Sequence, residues 1–208
     1  MKVRQSRLVI GCVLVIMVAG VIYGYSSRLF RRSLTSNELI PWVNNEENGL
    51  LKSVEIESYQ YKCQYLPLEY FIARYPNLKV TDEQKNNYRN SISFQLDFIS
   101  KNPGDAILSP DIIGHEKYAE RLFYLGSAAK SDFKLVYQSD TLGCINLNYE
   151  NPFSLNKNLK VMLEFENKGK EIQDDLTLIY HDNLLGGGII KFFFQGSKIK
   201  TIPNLKTI

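Results

Sequence analysis

Eighteen consecutive residues, Leu8 to Tyr25, carry no charge and no strongly polar side chain. Wound as a helix at 1.5 Å per residue, this run spans about 27 Å, close to the ~30 Å hydrocarbon core of a bilayer. Tyr23 and Tyr25 fall where interfacial aromatics collect. We therefore expect a basic tail at residues 1–7, a transmembrane anchor at 8–25, a stalk at 26–49 and a globular domain at 50–208. The chain would be a single-pass membrane protein.

Two other readings compete for the apolar run. A basic start followed by an apolar stretch also describes a secretory signal peptide, and Val18-Ala19-Gly20 offers a small-residue cleavage site. The run continues past that site through Val21-Ile22-Tyr23, which favours a retained anchor. Val9-Ile10-Gly11-Cys12 has the form of a lipoprotein cleavage box, but only Leu8 to Gly11 would then remain as its apolar part. Cys12 reads better as a thiol inside the membrane helix.

Charge sorts by position. Six of the 25 basic residues (Lys2, Arg4, Arg7, Arg28, Arg31 and Arg32) lie in the first 33 positions, with no acid among them. The remainder holds 19 bases against all 22 acids. A mildly acidic domain gives no electrostatic reason to expect nucleic acid as a partner. The basic excess belongs beside the anchor, at a lipid surface. Three bases precede the span and three follow it, so the positive-inside rule is nearly tied. A very short N-terminal tail on such a segment usually stays cytoplasmic, which places the large domain outside, in the periplasm of a bacterial envelope.

Beyond the stalk the dominant signal is alternation. Ile92, Phe94, Leu96 and Phe98 face one way while Ser93, Gln95 and Asp97 face the other, so 91–100 reads as a strand. Strand patterns recur at 53–63 (with a bulge or change of face near Ser58), at 133–137, 142–149, 159–165 and 176–180, and at 199–202 as a short edge strand. Asn167-Lys168-Gly169-Lys170 reads as a hairpin turn. Residues 189–194 are apolar on both faces apart from Lys191, the pattern of a central, buried strand. Short helices are expected at 67–75, at 81–89 behind a Thr81–Gln84 capping box, and at 115–125 with Gly126 as its stop. Consecutive strands with short connections pair antiparallel. The fold class is thus α+β and mainly antiparallel, either sandwich-like or one twisted sheet with two or three short helices.

No motif names a reaction. Cys63 and Cys144 both fall in strands and could pair outside the cytoplasm, closing a loop of 81 residues worth roughly 4–5 kcal/mol of chain entropy before strain. His181-Asp182 beside Gly186-Gly187-Gly188 could furnish a general base next to a turn. A phosphate-binding loop needs a helix after its glycines, and a strand pattern follows here. His115-Glu116 with Glu120 shares a helix face, but acids in a first helical turn are ordinary, and the zinc-protease pattern fails at Ala119. Glu150 stands near Thr141-Leu142-Gly143-Cys144 and Tyr149 in a cluster with no assigned chemistry. Tyr59, Tyr61, Tyr65, Tyr70 and Tyr75 could line a binding surface or sit half-buried in a sheet.

With no paired catalytic set, no metal pattern and no cofactor motif, the sequence favours a non-enzymatic envelope protein that binds a protein partner or scaffolds an assembly. The alternatives are an envelope hydrolase using His181, Asp182 or Glu150, which needs a pocket joining them, and a lipid- or small-ligand-binding domain, which needs an apolar cavity inside the sheet.

Overall fold

The computed structural model describes residues 32–75, 81–102, 105–108, 115–150, 158–167 and 171–206. The expected anchor and basic tail lie outside these residues. Among the described residues no helix is long and apolar enough to cross a membrane. The chain divides into two units between Ser33 and Leu34, and the second, from Leu34 onward, holds the hydrophobic core.

Eight strands form one antiparallel sheet: β2 (Leu51–Ile56), β3 (Tyr59–Leu66), β4 (Ser91–Ser100), β5 (Phe133–Tyr137), β6 (Asp140–Glu150), β7 (Leu159–Glu166), β8 (Leu176–Asp182) and β9 (Gly188–Phe194). Their spatial order is β2-β3-β4-β7-β6-β5-β8-β9. Strand β6 is the joint. Asp140 to Gly143 pair with β5, and from Cys144 onward the strand pairs with β7. A register shift between Cys144 and Asn146 bends it there, as bulges do at the corners of curled sheets. The end strands β2 and β9 approach within 8 Å between Cα atoms, so the sheet is curled close to a barrel. Eight strands make a barrel whose interior side chains just fill it.

The alternation seen in sequence builds that interior. Ile92, Phe94, Leu96 and Phe98 of β4 are all buried, as are Leu159, Val161, Leu163 and Phe165 of β7. Rings from the two halves meet across the middle. Phe94 lies 5.3 Å from Phe194 and Phe98 meets Tyr180 edge-on at 5.7 Å, while Phe133, paired with Tyr180 on the adjoining strand, stacks on it at 4.4 Å. Each fully buried aromatic contributes about 1.5–3 kcal/mol of apolar burial. Cross-sheet contacts of this kind hold the two halves face to face.

The helices are short: α1 (Ser36–Asn44), α2 (Leu68–Arg74), α3 (Asp82–Arg89), α4 (His115–Ser127) and α5 (Gly196–Ile199). A two-stranded pair, β1 (Ser33–Leu34) with β10 (Asn204–Leu205), lies apart from the main sheet. The Thr81–Gln84 capping box forms as expected, with Gln84 N–H on Thr81 Oγ1 at 3.2 Å and Thr81 N–H on Gln84 Oε1 at 2.9 Å.

Several expectations need correction. The stretch expected as stalk is folded from Leu34, because Leu34, Leu39 and Val43 are buried in the core. Glu38 accepts from the Thr35 N–H at 2.9 Å and so starts α1 ahead of Pro41. The irregularity near Ser58 is a hairpin rather than a bulge: Ile56 pairs with Tyr59 around Glu57, whose φ is +51°. Helix α4 runs through Gly126 to Ser127. Strands β7 and β8, expected to form a hairpin through Asn167–Lys170, do not pair; β7 lies between β4 and β6, and β8 between β5 and β9. Residues 196–199 form α5 instead of leading into a strand. Finally β9 is an end strand, with Ile189 66% and Phe193 48% exposed.

Candidate functional site

Among the described residues, two of the places that concentrate polar chemistry hold a buried or half-buried carboxylate. The first is the end of β8. Asp182 is 2% exposed, and its carboxylate gathers five donors. Oδ2 accepts from Tyr61 Oη at 2.5 Å and from the Gly187 N–H at 2.9 Å. Oδ1 accepts from Tyr180 Oη at 2.8 Å and from the backbone N–H groups of Leu184 and Leu185 at 3.2 and 3.0 Å. Burial pushes the Tyr61 and Tyr180 phenols far above their ordinary value, and the adjacent Asp182 carboxylate raises both further. Both therefore remain donors. Next to them, Tyr124 donates to Asp132, which also accepts from Asn183 Nδ2 at 2.9 Å.

The local sequence accounts for this arrangement. Strand alternation turns Asp182 inward with Leu176, Leu178 and Tyr180, and a buried carboxylate persists only when its oxygens are satisfied. The Asn183–Gly187 loop folds back to present its N–H groups. A Cβ on Gly187 would stand 2.7 Å from Asp182 Oδ2 and 2.9 Å from Tyr61 Oη, so only glycine fits there. All of this ties a loop to a barrel end. A carboxylate so fully engaged has no free lone pair aimed at solvent with which to take a substrate proton.

The second place is on the outside of the sheet. Lys62 of β3, Asp97 of β4, Lys160 of β7 and Glu150 of β6 stand in register, giving a row that alternates in charge. Asp97 Oδ1 accepts from Gln95 Nε2 at 2.9 Å. Burial pushes the Asp97 carboxyl up from the usual carboxylate range, opposed by the Gln95 hydrogen bond and then by Lys160. A groove of about 270 Å³ opens over this row, lined also by Gln64, Tyr70 and Arg74. Gln64 is 7% exposed and donates to Asn44 Oδ1 at 2.6 Å, so its carboxamide is fixed against the end of α1.

The residues singled out from sequence fall in separate places. His181 and Asp182 are neighbours on one strand and project to opposite faces, His181 exposed and Asp182 buried. Glu150 is exposed at the end of β6, and at about 3.4 Å per residue it lies roughly 17 Å further along that strand than the level of His181. Cys63 and Cys144 are both free and buried, on strands with β4 and β7 between them. Burial raises both thiols above their ordinary value. Tyr61, Tyr65 and Tyr70 are buried, Tyr59 is half-buried and Tyr75 is exposed. Glu116 and Glu120 are exposed on α4. Among the described residues no three His, Cys, Asp or Glu side chains converge on a metal position. The row through Lys62, Asp97 and Lys160 is invisible in the sequence because it joins three strands distant in the chain. Its one local signal is Asp97 on the polar face of the clearest strand.

No protein family, no curated protein and no solved structure matches the chain.

Proposed function

We propose that the chain is a single-pass, membrane-anchored envelope protein whose curled β domain binds a protein partner without catalysing a reaction. The anchor rests on the uncharged run at residues 8–25 and the basic residues flanking it. The observation that carries the partner reading is the outer face of β9. Ile189 and Phe193 project from it, 66% and 48% exposed, on either side of Lys191. Half-buried Ile179 and Thr177 of β8 continue the patch, paired with Lys191 and Phe193. A protruding aromatic and β-branched pair on a regular strand offers rigid apolar area at low entropic cost, the composition of an interface centre. The dispersal of Glu150, His181 and Asp182 weighs against the hydrolase alternative, and the ring-filled interior weighs against a ligand inside the sheet.

The test is site-specific photocrosslinking in living cells. A photoreactive residue at position 193 is expected to give a discrete adduct. The same residue at Asn148, exposed on β6, should give none, and Ile189→Glu should abolish the adduct at 193. Equal crosslinking at 193 and 148, or an adduct indifferent to Ile189→Glu, would overturn the reading.

A further inference from the structure

The groove over the Lys62–Asp97–Lys160 row departs from how sheets are usually covered. A sheet face shielded by helices is normally apolar, since burying polar groups is costly without partners. Here the ends of α1 and α2 stand over Lys62, Gln64, Gln95, Asp97 and Lys160, and Arg74 of α2 joins the lining. The lining carries three cations and one carboxylate, and with Glu150 beside Lys160 in the same row the net charge is one positive. The unit itself is acidic, with 19 bases against 22 acids after the first 33 residues. The groove is therefore a local reversal of sign.

None of the three cations makes an ion pair with another described residue. Lys62 and Lys160 flank Asp97 in register but do not close on it, and Asp97 takes its hydrogen bond from Gln95 instead. Tyr70, only 6% exposed, lines the same space. Such a site has a net positive charge, two lysines on strands, an arginine at the exposed end of α2 whose guanidinium lies 6.0 Å from the Tyr75 ring, and an aromatic wall.

We propose that this groove binds a small anion carrying a phosphate or carboxylate group, held by Lys62, Lys160 and Arg74. At about 270 Å³ the space lies just below the range of drug-sized pockets, which limits the ligand to roughly the size of one sugar or one amino acid. Phosphate and carboxylate oxygens suit this donor set: Arg74 supplies a planar fork and the lysines supply point charges. Asp97 and the carboxamides then select for hydroxyl groups on the same ligand, because an anion with no donor of its own would meet the Asp97 carboxylate unrelieved. The class that fits is a hydroxylated small anion such as a sugar phosphate or a sugar acid. The groove is formed on β3, β4 and β7 and the apolar patch on β8 and β9, both on the outer face of the sheet.

The full chain in neutral detergent would be titrated calorimetrically with glucose 6-phosphate, glucuronate, inorganic phosphate and, as the uncharged control, glucose. Binding of glucose 6-phosphate or glucuronate but not glucose is expected. The double variant Lys62→Met, Lys160→Met should bind at least about tenfold more weakly. Should that variant fail to fold, chemical acetylation of the wild-type chain reads the same point: the anion should slow modification at Lys62 and Lys160 and leave exposed Lys134 and Lys191 unaffected. The proposal is overturned if neither hydroxylated anion binds below roughly 10 mM, if glucose binds as well as its phosphate, or if protection and the double variant leave Lys62 and Lys160 without effect.

Discussion

The Tyr61 hydroxyl donates a 2.5 Å hydrogen bond to Asp182 Oδ2, joining β3 to the far end of β8 across 121 positions of sequence. Beside the Phe98–Tyr180 and Phe94–Phe194 ring contacts, it links the two halves of the curled sheet where the β8–β9 loop leaves it. Asp182→Ala should therefore leave two buried phenols and three loop N–H groups without their acceptor. A loss of at least about 3 kcal/mol is expected, since each buried unsatisfied group costs ~1–3 kcal/mol. Asp182→Asn retains one acceptor oxygen and should cost less. Tyr61→Phe removes one donor and should cost about 1–2 kcal/mol. Denaturant melts of the full chain check the order, and an Asp182→Ala variant as stable as wild type would contradict it.

Gly187 tests the same junction from the loop side. Its φ is not in the left-handed region, unlike those of Gly186 and Gly188 at +82° and +74°, so any cost of Gly187→Ala is steric. The new Cβ would press on Asp182 Oδ2 and Tyr61 Oη, both fixed by hydrogen bonds. About 1–3 kcal/mol of destabilisation is expected, as for other overpacked sites. Combined with Tyr61→Phe, the effects should be less than additive, because the two changes disturb one contact. A double-mutant cycle measures this.

Much of the fold is legible in the sequence because it rests on period-two alternation, and β4 and β7 carry that pattern without a break. The order of the strands is not legible. Alternation shows which residues face inward but not which strand lies alongside, and the pairing of β4 with β7 spans a chain distance no local signal covers. Turn chemistry also misleads where no glycine marks the turn: Glu57 and Gln138 both hold positive φ in two-residue hairpins. Residues 34–49 have the look of a stalk because Pro41 and the polar run at 44–48 mask the buried Leu39 and Val43. The engagement of Asp182 is hidden for a similar reason. The sequence places it beside His181, whereas the strand turns the two to opposite faces.

The same alternation explains why β9 reads as buried when half of it is not. Phe192 and Phe194 are in the core, and Phe193 between them faces out. Phe192→Ala should cost about 3–5 kcal/mol, as for other buried aromatics. Phe193→Ala should stay within about 0.5 kcal/mol, the range of surface substitutions. Thermal melts of the two variants give the comparison, and equal losses would mean that β9 is covered on both faces.

The buried phenols predict an alkaline limit to stability. Burial raises Tyr61 and Tyr180 above their ordinary value near 10, so the folded state holds those protons more tightly than the unfolded chain does. Between the unfolded and folded values the native state binds more protons, and by linkage stability falls as pH rises. The contribution is thus intact below about pH 10 and is lost above it. Denaturant midpoints should drop from that pH upward, less steeply in Tyr61→Phe than in wild type. Phenolate absorbance should lag behind the exposed tyrosines such as Tyr75 until the chain unfolds. A midpoint unchanged well above pH 10 would show that these phenols ionise in place.

Orientation decides which partners and ligands are available, and three bases stand on either side of residues 8–25. The proposed function requires the β domain to lie outside. A tag at the C-terminus should then be digested by protease added to intact spheroplasts, while an inner-membrane marker stays whole. Cys63 and Cys144 supply a second readout. Both are buried and free, so the β domain should keep two thiols that label only after denaturation, wherever it lies. A protected tag would turn the domain inward and remove the envelope partner reading. A digested tag with a Cys63–Cys144 disulfide would leave the orientation standing and require β3 and β6 to lie closer than this sheet order allows, since disulfides need Cα atoms within about 7 Å.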